Sequence, residues 1–417
     1  MKKRLLSMIL AISMVLTFLP VSAIPAFAAD ESSTQPMSGN CGYSGSNLTY
    51  TLTRNNEDDD NPTYTLAIHG AGEMDVWRND EDVPWYRVKK KITQLDIDGA
   101  TSIGKYAFYG CSGLTEITIP NSVTSIGELA FSGCSKLTEI TIPDSVTSMY
   151  RCAFSSCEGA KKVQISRNLK VIGERVFAGC SNLTDVTIPD GVTKLGEYAF
   201  SNCSNLESVT IPNGVTAIGE GAFYRCIKLN EKDGTSILPA SVTSIGDSVF
   251  FGCSGLTKIT IPASVTSIGA SAFVGCSSLT EITIPTGVTS IEQQTFSGCS
   301  KLTTINGLDH VTSIGSLAFE NCISLTEIAI PTAVTLIKGR TFNGCSKLTT
   351  INGLDHVTSI EYAAFEGCSS LTEIRLSDDE VSIGDSAFAE CSKLSRIEGC
   401  EKLTAIGVGA FEKCTGL

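Results

Sequence analysis

Seventeen cysteines, three histidines and a surplus of carboxylates are the groups in this 417-residue sequence with the most obvious capacity for chemistry. Fourteen of the cysteines, from Cys111 to Cys414, stand three residues after a phenylalanine and recur at a fixed interval. Thiols at catalytic or redox sites sit in CxxC pairs or beside a histidine base; no CxxC is present, so zinc and thiol–disulfide chemistry have little support. A residue repeated at one inward position fills the same slot in every turn of a stack, and free cysteine packs there as a small hydrophobe. Buried thiols are therefore the first reading of the column, with sporadic disulfides between neighbours as the alternative. Cys41, Cys152 and Cys400 lie off the column, and Cys152 is expected to fill an ordinary corner slot rather than to pair with Cys157.

The histidines are His69, His310 and His356. The last two occupy the same repeat position two turns apart, about 10 Å if each turn rises 4.8 Å, which is too far to share one metal ion. They are expected to be polar turn residues. No Ser-His-Asp or Cys-His arrangement can be assembled, because the serines and cysteines are repeat residues without a histidine partner. The acidic run Glu57–Asp60 is expected to be a solvated loop, with metal binding the lesser alternative. No catalytic residue, cofactor or metal ligand is nominated, and the expectation is that the chain is not an enzyme.

The element that positions all of these residues is one stretch, Val123 to Pro143, reading VTSIGELAFSGCSKLTEITIP. Its phenylalanine recurs at 108, 131, 154, 177, 200, 223, 250, 273, 296, 319, 342, 365, 388 and 411. Every interval is 23 except Phe223 to Phe250, which is 27. A fixed period of 20 to 30 residues with recurring apolar positions is the signature of a solenoid. The fold predicted is β-rich: a curved stack of about fourteen 23-residue turns with parallel strands, roughly 65 Å long at about 4.8 Å per turn.

Each turn is expected to hold a strand such as Leu114–Ile119, with Leu114, Ile117 and Ile119 inward. Proline ends it in most copies (Pro120, 143, 189, 212, 239, 262, 285 and 331), because it has no N–H for a ladder. Val123 and Ile126 suggest a second short strand on the opposite side. The GxxAFxGC segment is expected to make a tight helical or 3₁₀ corner burying Ala130, Phe131 and Cys134. Glycine before the cysteine in eight copies and asparagine in two point to a left-handed residue there. The glycine after Ile126 is replaced by Tyr150, Glu292, Lys338 and Glu361, so positive φ is not obligatory at that position.

Residues 1–28 have the features of a secretory signal peptide: Lys2–Arg4, an apolar run from Leu5 to Leu19, and Ala26-Phe27-Ala28 before Ala29. Pro20 and Pro25 cut the run short of a membrane span. Residues 30–40 are expected to be a loose mature N-terminus. Residues 29–91 are expected to form a cap with a β-hairpin, its strands drawn from NLTYTL (47–52) and TYTLAI (63–68), and with Trp77 and Trp85 as cap core. Residues 92–417 are expected to be the solenoid. The formal net charge is −13, and −16 without Lys2, Lys3 and Arg4, which disfavours nucleic acid and anionic membranes as partners.

The pattern LxxIxIPxxVxxIGxxAFxxC over residues 92–417 resembles the BspA-like (Treponema pallidum-type) leucine-rich repeats, and residues 41–90 resemble the region that often precedes them. The resemblance implies a secreted or cell-surface protein, with adhesins for host proteins such as fibronectin and fibrinogen among the characterised members. It implies no shared catalytic residues. Four departures stand out in the sequence: NEKDGTSI at 230–237 should bulge as a loop; Met149–Cys152 breaks the third unit; INGLDH recurs at 305–310 and 351–356; and no C-terminal cap motif precedes Leu417, so the chain is expected to continue.

The outward strand positions form the candidate binding face: Glu116, Glu139, Asp185, Glu281, Glu327 and Glu373 in one column, and Thr118, Thr141, Thr187, Thr210, Thr260 and Thr283 in the next. Threonine also suits any exposed strand, and glutamate keeps one soluble. Protein binding through this face is the leading expectation. The alternative is a structural spacer or cell-envelope scaffold presenting another domain beyond residue 417.

Overall fold

The computed structural model describes residues 36–232, 234–399 and 401–417. The signal-peptide reading, Asp233 and Cys400 lie outside the described residues. From residue 92 onward the chain is a parallel β-solenoid with almost no helix. In the second turn Val123, Ile126, Ala130, Phe131, Cys134, Leu137, Ile140 and Ile142 point inward and are at most 1% exposed. Burying a large apolar side chain is worth roughly 1.5–3 kcal/mol, but here only against the turns above and below, so interfaces between turns hold the stack together. The fourteen phenylalanine rings form one continuous column. Successive centroids are 5.0–6.0 Å apart and the ring planes lie within 1–26° of parallel.

The corner is tight, as expected of a helical or 3₁₀ segment, and carries i→i+3 bonds such as Ser132→Leu129 at 3.2 Å, but it forms no regular helix. Its residues form a run of tight turns whose remaining N–H groups reach forward to the next repeat. Leu129, Phe131 and Gly133 donate to the carbonyls of Arg151, Ala153 and Ser155, at 3.0, 2.8 and 2.8 Å. The phenylalanine bond recurs without a break from Phe108→Ala130 to Phe388→Ala410. Two residues per corner have positive φ. The one before the cysteine was expected: Gly133 has φ 76° and Asn202 φ 58°. The one two before the phenylalanine was not. Leu129, Arg175, Ser271 and Gln294 are all left-handed there, at φ 52–58°.

The other two walls are less continuous. On the first, short strands such as Ser125–Ile126, Lys194–Leu195 and Ser359–Ile360 pair in parallel from turn to turn in sheets of up to five strands. The glycine after the isoleucine packs against the turn before it. A Cβ on Gly219 would stand 2.7 Å from the carbonyl oxygen of Leu195 and 2.8 Å from the carbonyl carbon of Gly196. Close approach therefore selects glycine there, not dihedral freedom. Three of the four replacements, Tyr150, Glu292 and Lys338, adjoin the sheet breaks at 149/171, 268/290 and 314/336.

On the second wall, strands pair only two by two: Glu139–Thr141 with Lys162–Gln164, Asp185–Thr187 with Ser208–Thr210, Glu281–Thr283 with Thr304–Asn306, Glu327–Ala329 with Thr350–Asn352, and Glu373–Arg375 with Arg396–Glu398. Leu114–Ile119, the strand expected in the first turn, forms no regular strand, although Leu114 and Ile119 are buried as expected and Ile117 is half-buried. Each of the eight prolines begins the turn back to the first wall, its carbonyl accepting from the valine three residues on, as in Val123→Pro120 at 3.0 Å.

Strands β2 (Thr49–Arg54) and β3 (Tyr64–His69) form the antiparallel hairpin that caps the stack. The segment expected to be loose contributes β1 (Met37–Asn40), paired with β2, because its backbone finds an open strand edge there. β3 pairs in parallel with Ile92–Ile97 and so hands the sheet on to the solenoid. Trp85 begins the aromatic column. It stacks on Phe108 at 5.9 Å, meets Tyr50 and Trp77 edge-on, and donates from Nε1 to the Ala107 carbonyl at 2.8 Å.

Candidate interaction face

All twelve candidate face residues are exposed on the second wall; nine lie in the registers given above, while Glu116, Thr118 and Thr260 sit on stretches that form no regular strand. The wall is built by strand alternation: Ile140, Val186, Ile282, Ile328 and Ile374 point into the core while their neighbours point out. Two of the twelve already have partners. Asp185 accepts a short hydrogen bond from the Ser208 hydroxyl, which holds its carboxyl below the usual carboxylate range. Thr260 is bound through its N–H and hydroxyl by the Glu231 carboxylate, at 2.7 and 3.1 Å. The other ten, Glu116, Thr118, Glu139, Thr141, Thr187, Thr210, Glu281, Thr283, Glu327 and Glu373, have no side-chain hydrogen bond or ion pair among the described residues.

Carboxylates elsewhere contrast with these. On the flank leading into the corner, Glu128 pairs with Lys105 at 2.8 Å and lies 3.9 Å from Arg151, which pairs with Glu174 at 2.9 Å. That flank satisfies its own charges; on the strand face Arg375 and Arg396 both meet Glu398, but the glutamates of the candidate column stay unpaired.

The insertion accounts for the gap at Lys258–Thr260, where no strand forms. Asn230 Oδ1 accepts from the Thr257 N–H at 3.1 Å, and Glu231 takes the Thr260 N–H. Side chains of the loop thus replace the backbone acceptors that a preceding strand would present. The loop itself closes on a bridge between Lys232 and Thr235.

The groups first considered for chemistry have structural partners. Sixteen cysteines are described and all are free thiols. From Cys134 to Cys414 each column cysteine donates from Sγ to the carbonyl of the phenylalanine one turn back, at 3.1–3.4 Å. Burial pushes the thiols of Cys180, Cys253 and Cys299 up to about 12, and those of Cys203, Cys226 and Cys276 well above the ordinary value. Thiolates, the reactive form, are thereby suppressed. Cys152 occupies the left-handed corner slot at φ 57°.

His310 and His356 each reach back one turn through Nε2 to a proline carbonyl, Pro285 and Pro331, at 2.8 Å. They serve the two INGLDH turns, where Gly307 and Gly353 stand in place of the usual inward isoleucine. No group of three or more histidine, cysteine or acidic residues could hold a metal ion among the described residues. No helix among them is long and apolar enough to cross a membrane. Sequence reasoning missed the pairwise breaks on the strand wall. The 46-residue recurrence of INGLDH was their one visible trace.

The repeat sequence matches the BspA type leucine rich repeat region in six copies, over residues 101–230, 234–338 and 312–417, well over half of the chain. A leucine-rich repeat protein from Bacteroides ovatus is 32% identical, with a TM-score of 0.69 over 88% of this chain and 91% of that one. A leucine rich cell surface protein from Faecalibacterium prausnitzii is 26% identical over 89% and 95%, with a TM-score of 0.39. The Treponema pallidum leucine rich repeat protein is 26% identical over 46% and 79%, with a TM-score of 0.37. No curated protein matches the chain. With this length of matched repeat, and the phenylalanine and cysteine columns that the repeat builds, the chain belongs to the BspA-type leucine-rich repeat family.

Proposed function

We propose that the protein is a secreted or cell-surface protein-interaction module, adhesin-like, that binds extracellular host or neighbouring-cell proteins through the exposed strand face and the 230–237 loop. The observation that carries this reading is the array of ten exposed polar side chains without internal partners, held in register on a packed stack. Extended solenoid surfaces commonly serve this purpose, because each turn adds side chains at a fixed spacing. Export rests on the sequence features of residues 1–28, and partners such as fibronectin or fibrinogen on the family resemblance. Catalysis is not part of the reading: the column thiols from Cys111 to Cys391 are buried, and His310 and His356 are bound to backbone carbonyls.

The test is binding of the purified protein to a panel of extracellular-matrix and plasma proteins at physiological salt, with and without Glu116→Lys, Glu139→Lys and Glu281→Lys. Saturable binding that the triple substitution abolishes supports the face. Equal binding by both forms removes it. The unbroken corner ladder favours a second reading, a stiff spacer that presents another domain, and binding to nothing in the panel would favour that reading.

A further inference from the structure

The turn of Phe223 departs from its neighbours on two sides at once. On the strand wall it carries the insertion, and at the corner Tyr224, Arg225 and Ile227 stand where the second turn has Ser132, Gly133 and Ser135. Serine fills the Ile227 position in ten of the fourteen turns, and glycine the Arg225 position in eight. Arg225 nevertheless takes the left-handed conformation of its slot, at φ 55°, which a Cβ disfavours. Its N–H bond to the Phe251 carbonyl, at 2.6 Å, holds it there. Its stem lies against Gly252, where a Cβ would stand 3.1 Å from Arg225 Cγ. Ile227 is 45% exposed. Gly255 of the next turn donates to the Ile227 carbonyl at 2.8 Å and has no side chain with which to cover it. None of the three replacements belongs to the buried core.

The aromatic rings beside them are held in place. Tyr224 stacks on Phe251 at 4.7 Å and 14°, and the Arg225 guanidinium lies 5.7 Å from the Tyr224 ring centre. Tyr198 meets Tyr224 edge-on at 6.2 Å. With these contacts made, the Tyr224–Phe251 pair presents ring edges to solvent, and a nucleobase that needs an open aromatic face finds none there. The charges are equally distinct. Between each phenylalanine and the leucine six residues on, the six turns from Phe177 to Leu302 hold no acidic residue, in a chain of net charge −13. Arg225 and Lys228 are exposed and have no ion pair among the described residues. The described carboxylates between 214 and 258, those of Glu220, Glu231 and Asp247, already accept from Tyr198, Thr260 and Ala270. Glu197 and Glu207, one turn earlier, lie outside the phenylalanine-to-leucine stretch.

We infer that this corner patch docks an acidic segment of a partner protein. An apolar side chain of the segment rests on Ile227 and the edge of the Tyr224–Phe251 pair, and flanking carboxylates meet Arg225 and Lys228. Tyrosine and arginine are enriched among the residues that carry most of the energy of protein interfaces, and the planar guanidinium fork matches a carboxylate directly. Rings already stacked lose little freedom when a partner arrives. The patch is separate from the strand face, so it stands or falls apart from the role proposed for that face.

The test is a selection of displayed random peptides on the purified protein, followed by fluorescence anisotropy of the recovered peptides at about 150 mM salt. The variant Tyr224→Ser, Arg225→Gly and Ile227→Ser restores the residues of the second turn and is expected to fold, which circular dichroism and a thermal melt would verify. Recovered peptides should combine carboxylates with an apolar residue and bind this variant about tenfold more weakly or worse. Lys228→Glu alone should weaken them about threefold. Ile323→Ser, which changes the same column beside Glu320, should alter binding less than about twofold. Equal binding to wild type and the triple variant, patch-dependent peptides without carboxylates, or no recovered peptide overturns the inference. So does binding of heparin that the triple substitution abolishes where no such peptide is found, because the ligand class would then be a polyanionic sugar. A dimer in sedimentation that the same substitution dissociates would make the occupant a second copy of this chain, and overturns it likewise.

Discussion

The corner wall and the strand wall run the length of the same stack and are built in opposite ways. At the corner the inter-turn hydrogen bonds never lapse, the phenylalanine column is sealed, and even the cysteine thiols are spent on carbonyls. On the strand face the ladder lapses at two-turn steps along the C-terminal half, and Glu281, Glu327 and Glu373 face outward there without partners. One wall holds the turns together, and the other is free to vary without loosening them. If that division is correct, substitutions on the two walls should differ in cost by several kcal/mol.

The largest effect is expected from the aromatic column. Phe200→Ala removes a ring that contacts Phe177 at 5.5 Å and Phe223 at 5.9 Å, and should cost about 3–5 kcal/mol in denaturant unfolding. A loss under about 1 kcal/mol would mean that neighbouring turns close over the cavity and the corner is not the stabilising wall.

The thiol column should make the stack sensitive to alkali. Below about pH 9.0 a cysteine is protonated in both folded and unfolded chains, and its buried position carries no pH-dependent penalty. Between 9.0 and about 12 the unfolded chain loses the proton while Cys180 in the native state keeps it, so stability falls as pH rises. Each such thiol can add about 1.4 kcal/mol per pH unit to the slope. Unfolding titrations at pH 7 and pH 10 in reducing buffer should show this decline, and Cys180→Ala should make it shallower. A slope unchanged by that substitution would show the column to be ionisation-neutral.

The two glycine columns sharpen the contrast, because they were unequally legible in the sequence. The glycine before the cysteine announced its left-handed conformation by its company, since asparagine replaces it twice. The left-handed residue two before the phenylalanine left no such mark. Leucine, tyrosine, arginine and serine all stand there, held by the forward hydrogen bond and by the turn packed above. Ser271→Gly should therefore stabilise by up to about 1 kcal/mol, by relieving a φ of 58°. Gly219→Ala should destabilise by about 1–3 kcal/mol, because the backbone it would strike has nowhere to move. Thermal melts of the two variants shifting in the same direction would contradict this.

Period, core and exposed columns were all legible, because a 23-residue repeat writes each inward slot fourteen times. The pairwise division of the strand wall was not, because it depends on spacing between turns that otherwise carry the same inward residues. It surfaced in the sequence only where INGLDH displaced the proline turn.

The smallest effect is expected on the strand wall itself. Glu327 stands between Thr304 and Thr350 in its column, exposed and without an ion pair, so Glu327→Lys should alter stability by less than about 0.5 kcal/mol. Glu281 differs in one respect: Lys258 occupies the same column one turn earlier. Glu281→Lys therefore sets two like charges beside one another on adjacent turns, and should cost a few tenths of a kcal/mol more than Glu327→Lys. Because both groups are exposed, added salt should erase that difference while leaving the loss from Phe200→Ala in place. Unfolding of all three variants at low and high ionic strength measures this directly. If Glu327→Lys proved as costly as the phenylalanine truncation, the strand wall would be a structural member after all, and its unpartnered carboxylates would no longer stand apart as groups kept for a partner.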